Sequence, residues 1–210
     1  MRIYLFDEPQ LVTGRAYDDM IASLPEQRRQ KALRYRSFSD RVMCGVSYRL
    51  LEYGLRKDFG IESFSLDHKE GGKPFIAGRD DIFFNISHCK NGCVCTIAHS
   101  EAGVDIQHPV SLRESLIKRV CSDAERALIA ASDDPELTFR GIWCMKEAYL
   151  KMLGVGIATD MKKADTTADS FPAVMKHFDG YTLAAACEGL TKGSRLLDDM
   201  VTRVRTDEII

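Results

Sequence analysis

The sequence lacks any long apolar run: no stretch approaches the ~18 uninterrupted apolar residues that a membrane-spanning helix requires. It also lacks an excess of charge of either sign, since 29 Lys and Arg face 31 Asp and Glu. This balance argues against a broad nucleic-acid or membrane surface, although it leaves room for a local basic patch. The first residues hold no long apolar run before the first acids, so we expect no signal peptide.

Cysteine pairs with the C-x-x-C spacing are absent as well, and the cysteines are odd in number, seven in all. This usage is typical of reduced thiols rather than of a disulfide framework, so we expect a cytoplasmic protein. Zinc at Cys89, Cys93, Cys95 and His99 is disfavoured, because the spacing matches none of the usual structural sites. Cys93 and Cys95 also fall in an apolar run that predicts a buried strand.

The remaining pattern predicts an α+β protein in which the order strand, helices, hairpin occurs twice. In the first half we expect a strand over 1–6, helices over 25–35 and 37–60, an extended loop over 67–81, and a hairpin of 82–87 with 92–98. In the second half we expect a strand over 103–107, helices over 111–120, from 122 and over 135–153, a hairpin of 171–178 with 181–187, and an edge strand over 200–205. No flexible linker divides them, so we expect the halves 1–102 and 103–210 to pack together in a monomer.

The predicted helix over 135–153 carries the most informative charged residues. Trp143, Glu147 and Lys151 fall on one face of it, with Lys146 beside them. Taken alone, Glu147 and Lys151 are more simply interpreted as a surface ion pair one helical turn apart.

The predicted strand over 103–107 places Asp105 and Gln107 on the same side. An acid in a short apolar strand is costly to bury unless a metal or a cationic side chain pairs with it. An edge strand with Asp105 in water is the alternative. Ser87 and His88 end another apolar run, where both are equally well explained as turn residues.

Together these segments form a pattern: Gly-Lys-Pro at 72–74, Phe-Asn-Ile-Ser-His at 84–88, Gly-x-Asp-Ile at 103–106, and Trp-x-x-Lys-Glu-Ala-x-x-Lys at 143–151. The sequence resembles the 4′-phosphopantetheinyl transferase superfamily, in its Sfp-type branch of single-chain enzymes. The resemblance implies two similar α+β halves related by pseudo-twofold symmetry. It also implies transfer of the phosphopantetheine arm of coenzyme A to a serine of an acyl or peptidyl carrier protein, with release of adenosine 3′,5′-bisphosphate.

The resemblance also assigns roles to individual residues. Asp105 and Glu147 are expected to hold Mg²⁺ on the diphosphate, and Lys151 and Lys146 to add positive charge there. Gln107 stands where the family usually has a second acid, so this site has one negative charge fewer, although an amide oxygen can still bind Mg²⁺.

Further residues are implied to bind coenzyme A. Ser87 and His88 are expected to contact its phosphates, and His88 and Arg41 the 3′-phosphate. Lys73 and Pro74 are expected to line the adenine end of the pocket.

Two other functions fit the sequence less well. A Mg²⁺-dependent nuclease would need a lysine two residues after the strand acid, and the sequence has none there. A non-catalytic module would be expected to have lost Asp105, Glu147 or Lys151, and all three are present.

Overall fold

The structure is a computed structural model that describes residues 1–155, 160–191 and 199–210. The helices are α1 Arg15–Ser23, α2 Glu26–Leu33, α3 Phe38–Phe59, α4 Glu114–Val120, α5 Asp123–Ala130, α6 Pro135–Leu153 and α7 Thr206–Ile209. The strands are β1 Arg2–Phe6, β2 Leu66–His68, β3 Pro74–Ile76, β4 Phe83–Cys89, β5 Gly92–Ala98, β6 Ala102–Gln107, β7 Ala173–Phe178, β8 Tyr181–Cys187 and β9 Val201–Arg203. The α+β class is therefore confirmed.

Two sheets form the centre of the fold. The first has the order β4-β5-β1-β9, and the second has the order β6-β8-β7 with antiparallel neighbours. In the first sheet β1 is antiparallel to β5 and parallel to β9. Strands β2 and β3 form a separate short hairpin.

The two sheets are stacked, with a long helix on each outer face. Tyr4 and Phe6 of β1 belong to the apolar cluster that includes α3, whereas the alternate residues Ile3 and Leu5 face the second sheet. On the far side of that sheet, Ala148 and other small residues of α6 pack against alanines of β7 and β8. The layers therefore run α3, first sheet, second sheet, α6.

Local sequence signals set the ends of the long helices, as predicted. The Ser37 side chain accepts a hydrogen bond from a main-chain N–H in the first turn of α3, which ends at Gly60 with φ 64°. Ser122 and Glu125 form the expected capping box of α5. Helix α6 has the predicted bounds and ends at Gly154 with φ 70°, a conformation that glycine adopts without strain.

Three local predictions are corrected. The segment 67–81 is not an extended loop throughout, because Leu66 pairs with Ile76, whose side chain is buried, and so forms the β2–β3 hairpin. The turn between β4 and β5 contains only Lys90 and Asn91, so His88 belongs to the strand. Helix α4 begins at Glu114 rather than at residue 111.

The end of the chain returns to the first sheet. Strand β9 lies at the sheet edge beside β1, and Arg49 of α3 donates a hydrogen bond from Nε to the carbonyl of Ile209, 2.8 Å away. The division of the chain at residue 102 stays a prediction. Across the described residues, no helix combines the length and apolarity needed to cross a membrane, and all seven cysteines are free thiols.

Candidate active site

The site is built on a very close approach of α6 to β6. At Gly103 a Cβ atom would lie 1.9 Å from the carbonyl oxygen of Ala148 and 2.5 Å from the main-chain nitrogen of Met152. Further along, the Cys144 thiol donates to the main-chain oxygen of Asp105 at 3.3 Å. The absence of a side chain at Gly103 thus lets the helix lie directly on the strand and fixes which helix residues face Asp105.

Asp105 is the centre of a hydrogen-bonded cluster, although only 1% of its surface is exposed. The Lys151 ammonium lies 2.5 Å from Asp105 Oδ1 and donates to Ser87 Oγ at 2.8 Å. Ser87 Oγ in turn donates to Oδ1 at 2.7 Å, and Gln107 Nε2 donates to Oδ2 at 2.9 Å. Strand β6 does lie at the edge of its sheet, but Asp105 is not in water, and Lys151 is the cationic partner that its burial required.

Glu147 lies beside this cluster and is 5% exposed. Burial raises the pKa of its carboxyl group, the negative charge of Asp105 raises it further, and Lys151 opposes the shift. Its Oε1 atom is buried and has no hydrogen-bond partner among the residues that the structure describes. The interpretation of Glu147 and Lys151 as a solvated surface pair is therefore wrong, because Glu147 is buried and Lys151 pairs with Asp105.

The oxygen atoms gathered here suit a hard divalent cation. Mg²⁺ is commonly bound through one or two carboxylates while it keeps several waters, and the orphaned Oε1 of Glu147 beside Asp105 is an acceptor that such an ion would satisfy. The described residues contain no group of three or more His, Cys, Asp or Glu side chains arranged to hold a metal, and this site has only two such carboxylates. Gln107 turns its NH₂ toward Asp105, so its amide must rotate before its oxygen can bind a cation.

Lys146 does not join the cluster, which corrects its predicted role at the diphosphate. Its ammonium is fully buried, lies 2.7 Å from Glu125 Oε2, and donates to the carbonyls of Val120 and Met161 at 2.9 and 2.8 Å. Successive helix residues point about 100° apart, so Lys146 leaves α6 in a different direction from Glu147. Its contacts join α6 to α4, α5 and the segment after α6.

Ser87 and His88 lie on opposite faces of β4. Ser87 faces Asp105, whereas His88 is on the face that packs toward α3 and is exposed at the surface. The protein atoms around the His88 ring lower its pKa by desolvation, Lys151 lowers it further, and Asp40 at the start of α3 opposes the shift. His88 is thus near the first turn of α3 rather than within the Asp105 cluster.

Arg41 lies in that first turn of α3. Its Nε donates to the carbonyl of Tyr35 at 2.8 Å on the protein surface. Arg28, from the basic segment before α3, instead directs its guanidinium to the carbonyl of Cys44.

A cavity of about 510 Å³ opens near the start of β6 and is lined in part by Lys73, Pro74, Phe84 and Glu101. The Lys73 ammonium donates to Glu101 Oε2 at 2.5 Å and to the carbonyl of Met152 at 2.8 Å. The last turn of α6 therefore connects this cavity to the Lys151 cluster.

The cysteines of β5 are packed in the core rather than arranged as metal ligands. Cys93 and Cys95 are fully buried on the side of α3, and burial raises the pKa of Cys93 to about 12. Ser47 Oγ lies 3.2 Å from the Cys93 sulfur, while the His99 ring contacts Phe59. This arrangement agrees with the sequence-based argument against zinc.

The sequence is similar to known proteins over most of its length. A family model described as the 4′-phosphopantetheinyl transferase superfamily matches residues 101–196. A 4′-phosphopantetheinyl transferase of Bacillus subtilis is 27% identical over 185 residues, which is 86% of this chain and 79% of the relative. The 4′-phosphopantetheinyl transferase Sfp of Bacillus subtilis (strain 168) is 25% identical over 184 residues, again 86% and 79%.

The chain belongs to the 4′-phosphopantetheinyl transferase superfamily. A third relative of this transferase is the L-aminoadipate-semialdehyde dehydrogenase-phosphopantetheinyl transferase of Saccharomyces cerevisiae, 27% identical over 168 residues, or 74% of this chain and 62% of the relative. The predicted membership and enzyme type are therefore confirmed. In this phosphopantetheinyl transferase the family match includes Asp105, Glu147 and Lys151, whereas Ser87 and His88 precede it.

Proposed function

We propose that this protein transfers the 4′-phosphopantetheine group of coenzyme A to a serine of an apo acyl or peptidyl carrier protein in a Mg²⁺-dependent reaction. The observation that carries the proposal is the buried Glu147 carboxylate beside Asp105, one oxygen of which is unpartnered within the described part of the chain. Lys151 and Ser87 complete the cluster with a positive charge and a hydroxyl group. A phosphate-bound divalent cation and an anionic diphosphate would satisfy all four groups.

Asp105 and Glu147 would hold the cation, and a rotated Gln107 amide would add a neutral oxygen. When bound, Mg²⁺ supplies positive charge to the phosphorus under attack and to the leaving phosphate. Lys151 would pair with the diphosphate oxygens, and Ser87 would orient Lys151. The carrier serine would release its proton to solvent water, and its Oγ would form a bond to the pantetheine-linked phosphorus. The bond from that phosphorus to the bridging oxygen breaks, and adenosine 3′,5′-bisphosphate leaves.

The rest of coenzyme A is proposed to run along β6 from its start. The adenine end would enter the cavity beside Lys73 and Pro74, and the diphosphate would reach Lys151. His88 and Arg41 would contact the 3′-phosphate. An anion is favoured near Arg41 because helix N-termini carry partial positive charge.

We further propose that residues 1–102 and 103–210 are the two pseudo-symmetric halves of a cytoplasmic monomer. Each half holds a strand, a long helix that ends at a glycine with positive φ, and a hairpin with a two-residue turn. The hydrogen bond from Ser87 to Asp105 crosses the proposed boundary, so the site would lie at the junction of the halves.

The test is to incubate the protein with several apo carrier proteins, coenzyme A and Mg²⁺, and to measure the intact mass of each carrier. We expect a mass increase of one phosphopantetheine group and formation of adenosine 3′,5′-bisphosphate in equal amount. The proposal is contradicted if no carrier gains mass while a known transferase modifies the same preparations.

Binding is expected to depend on the 3′-phosphate. Charge-assisted hydrogen bonds contribute roughly 1.5–3 kcal/mol each, so dephospho-coenzyme A should bind about tenfold or more weakly than coenzyme A. Arg41→Ala should reduce that difference, and calorimetric titration of both ligands into both proteins measures it. Equal affinity of the unaltered protein for the two ligands would rule out the assignment of Arg41 and His88.

Substitutions of Gln107 are expected to change the affinity for Mg²⁺ without abolishing transfer. Gln107→Ala should raise the Mg²⁺ concentration needed for half-maximal transfer only modestly, because a water can replace a neutral ligand. Gln107→Glu should lower that concentration, because it adds a negative charge to the site. Asp105→Ala, which removes a charged ligand, should nearly abolish transfer. Rates measured across a Mg²⁺ titration at fixed coenzyme A provide the check, and a Gln107→Ala protein as inactive as Asp105→Ala would contradict the prediction.

A further inference from the structure

Arg140 is a buried cation near the proposed active site that the sequence pattern did not single out. Only 9% of its surface is exposed, and its Nε donates to Thr182 Oγ1 at 2.8 Å. Within residues 1–155, 160–191 and 199–210, no carboxylate lies within ion-pair distance of it. A guanidinium has five N–H donors, so most of them are available to a ligand.

The guanidinium is held in one orientation by a polar row across the second sheet. Gln107, Thr182 and His177 are directly paired on neighbouring strands and therefore share one face. Thr182 Oγ1 accepts from Arg140 and lies within hydrogen-bond distance of His177 Nδ1, at 2.8 Å. Burial lowers the pKa of His177 and the charge of Arg140 lowers it further, while Asp134 opposes the shift, so the neutral form of the ring is favoured.

Arg140 also lies where the diphosphate of the proposed substrate would continue. It precedes Glu147 by seven residues, or two helical turns, and so lies on the same face of α6. Along β6, the Lys151 ammonium lies beside Asp105. The Arg140 guanidinium lies beside Thr182, which pairs with Gln107 and therefore has the same position along the sheet as Gln107. The two positions differ by two strand residues, about 6–7 Å, which is the scale of two linked phosphate groups.

A buried cation without a counter-ion is unfavourable unless a ligand supplies the negative charge. In the proposed orientation the adenine end lies near the start of β6, so the phosphate attached to pantetheine would point toward Gln107 and Arg140. Gln107 is neutral and leaves the charge of Arg140 for that ligand, whereas an acid at this position would compete for it.

We propose that Arg140 binds the pantetheine-side phosphate of coenzyme A, which is the phosphate that the reaction transfers. This inference rests on the proposed function. It makes Arg140 a second cationic contact of the diphosphate, beside Lys151. Arg140 would stabilise the transferred phosphate most strongly in the transition state, where negative charge builds up on that group.

The experiment compares coenzyme A with adenosine 3′,5′-bisphosphate, which has the same nucleotide but lacks the pantetheine-side phosphate and the pantetheine attached to it. Both ligands are titrated calorimetrically into the unaltered protein and Arg140→Gln, with Mg²⁺ and with EDTA. We expect Arg140→Gln to bind coenzyme A about tenfold or more weakly and to bind adenosine 3′,5′-bisphosphate within about twofold of the unaltered protein. Arg140→Lys, which keeps the charge, should bind coenzyme A with intermediate affinity.

Arg49→Gln is the control for loss of a partly buried guanidinium whose Nε bonds an oxygen atom, because Arg49 contacts the chain end instead of the site. It should change neither affinity. If Arg140→Gln weakens both ligands equally or neither, the contact is refuted. An unchanged affinity for coenzyme A with a raised KM for the carrier would also refute it, and would indicate a carboxylate of the carrier as the anion. If the unaltered protein bound neither ligand, the proposed function would be contradicted, and the Arg140 contact would be contradicted as well.

Discussion

Replacing Glu147 with glutamine is expected to abolish phosphopantetheine transfer and to stabilise the metal-free protein at neutral pH. The carboxylate is buried beside Asp105, and one of its oxygens has no partner in the described ranges, so its negative charge is unfavourable until a cation binds. Glutamine keeps the shape and removes the charge. Transfer should fall by about 100-fold or more, as it does when a group that stabilises developing charge is lost.

The pH dependence of this effect follows from the raised pKa of Glu147. In the folded state the carboxyl group binds its proton more tightly than in the unfolded state, where the pKa is about 4.3. Its contribution to stability is therefore full below that value and is lost as the pH rises through the raised folded pKa. The excess stability of Glu147→Gln over the unaltered protein should appear over the same interval and persist at pH 7.

Thermal unfolding from pH 4 to 8, without Mg²⁺ and with it, measures this difference. Mg²⁺ should raise the Tm of the unaltered protein, since a ligand that binds only the folded state stabilises it, and should change that of Glu147→Gln much less. Glu114→Gln is the matched control, because Glu114 is exposed and pairs with Lys118 of its own helix. A Glu147→Gln protein that still transfers, or that is less stable at every pH, would show that Glu147 has another role.

The sequence predicts the elements that local signals define. Ser37, Gly60, Ser122 and Gly154 mark helix ends through hydrogen bonds and backbone conformations that belong to the nearest few residues. For Asp105 the sequence predicts only that the acid needs a metal or a cationic partner if its apolar strand is buried, and it leaves an exposed edge strand as the alternative. Only the structure identifies Lys151 as that partner.

The remaining features depend on which direction a side chain leaves its element. Lys146 is adjacent to Glu147 in sequence, yet the 100° turn between them sends its ammonium to Glu125. Arg140 could have been found from its spacing of seven residues before Glu147, but the lack of an acidic partner for it in the described part of the chain is a tertiary property. The pairing of β9 with β1 joins segments about 200 residues apart, and no local pattern reports such a contact.

Gly103→Ala is expected to destabilise the protein and to move the active-site residues of α6 away from Asp105 of β6. The new Cβ would meet main-chain atoms of Ala148 and Met152 at 1.9 and 2.5 Å, and neither can move without the whole of α6. Overpacking of this kind costs about 3 kcal/mol or more. The shift would also carry Glu147 and Lys151 away from Asp105, so transfer should fall along with stability. Urea unfolding followed by the fluorescence of Trp143, the single tryptophan, gives the free energy of unfolding.

Gly60→Ala separates this clash from the ordinary cost of replacing a glycine. Gly60 has a φ of +64°, and a Cβ atom added there would have no neighbouring atom within 4 Å, so the change should cost about 1 kcal/mol through backbone strain alone. Because Gly60 ends α3, on the opposite outer layer from α6, Gly60→Ala should keep its transfer activity. If Gly103→Ala matched Gly60→Ala in both stability and activity, the close approach of α6 to β6 could not be what brings Glu147 and Lys151 to Asp105.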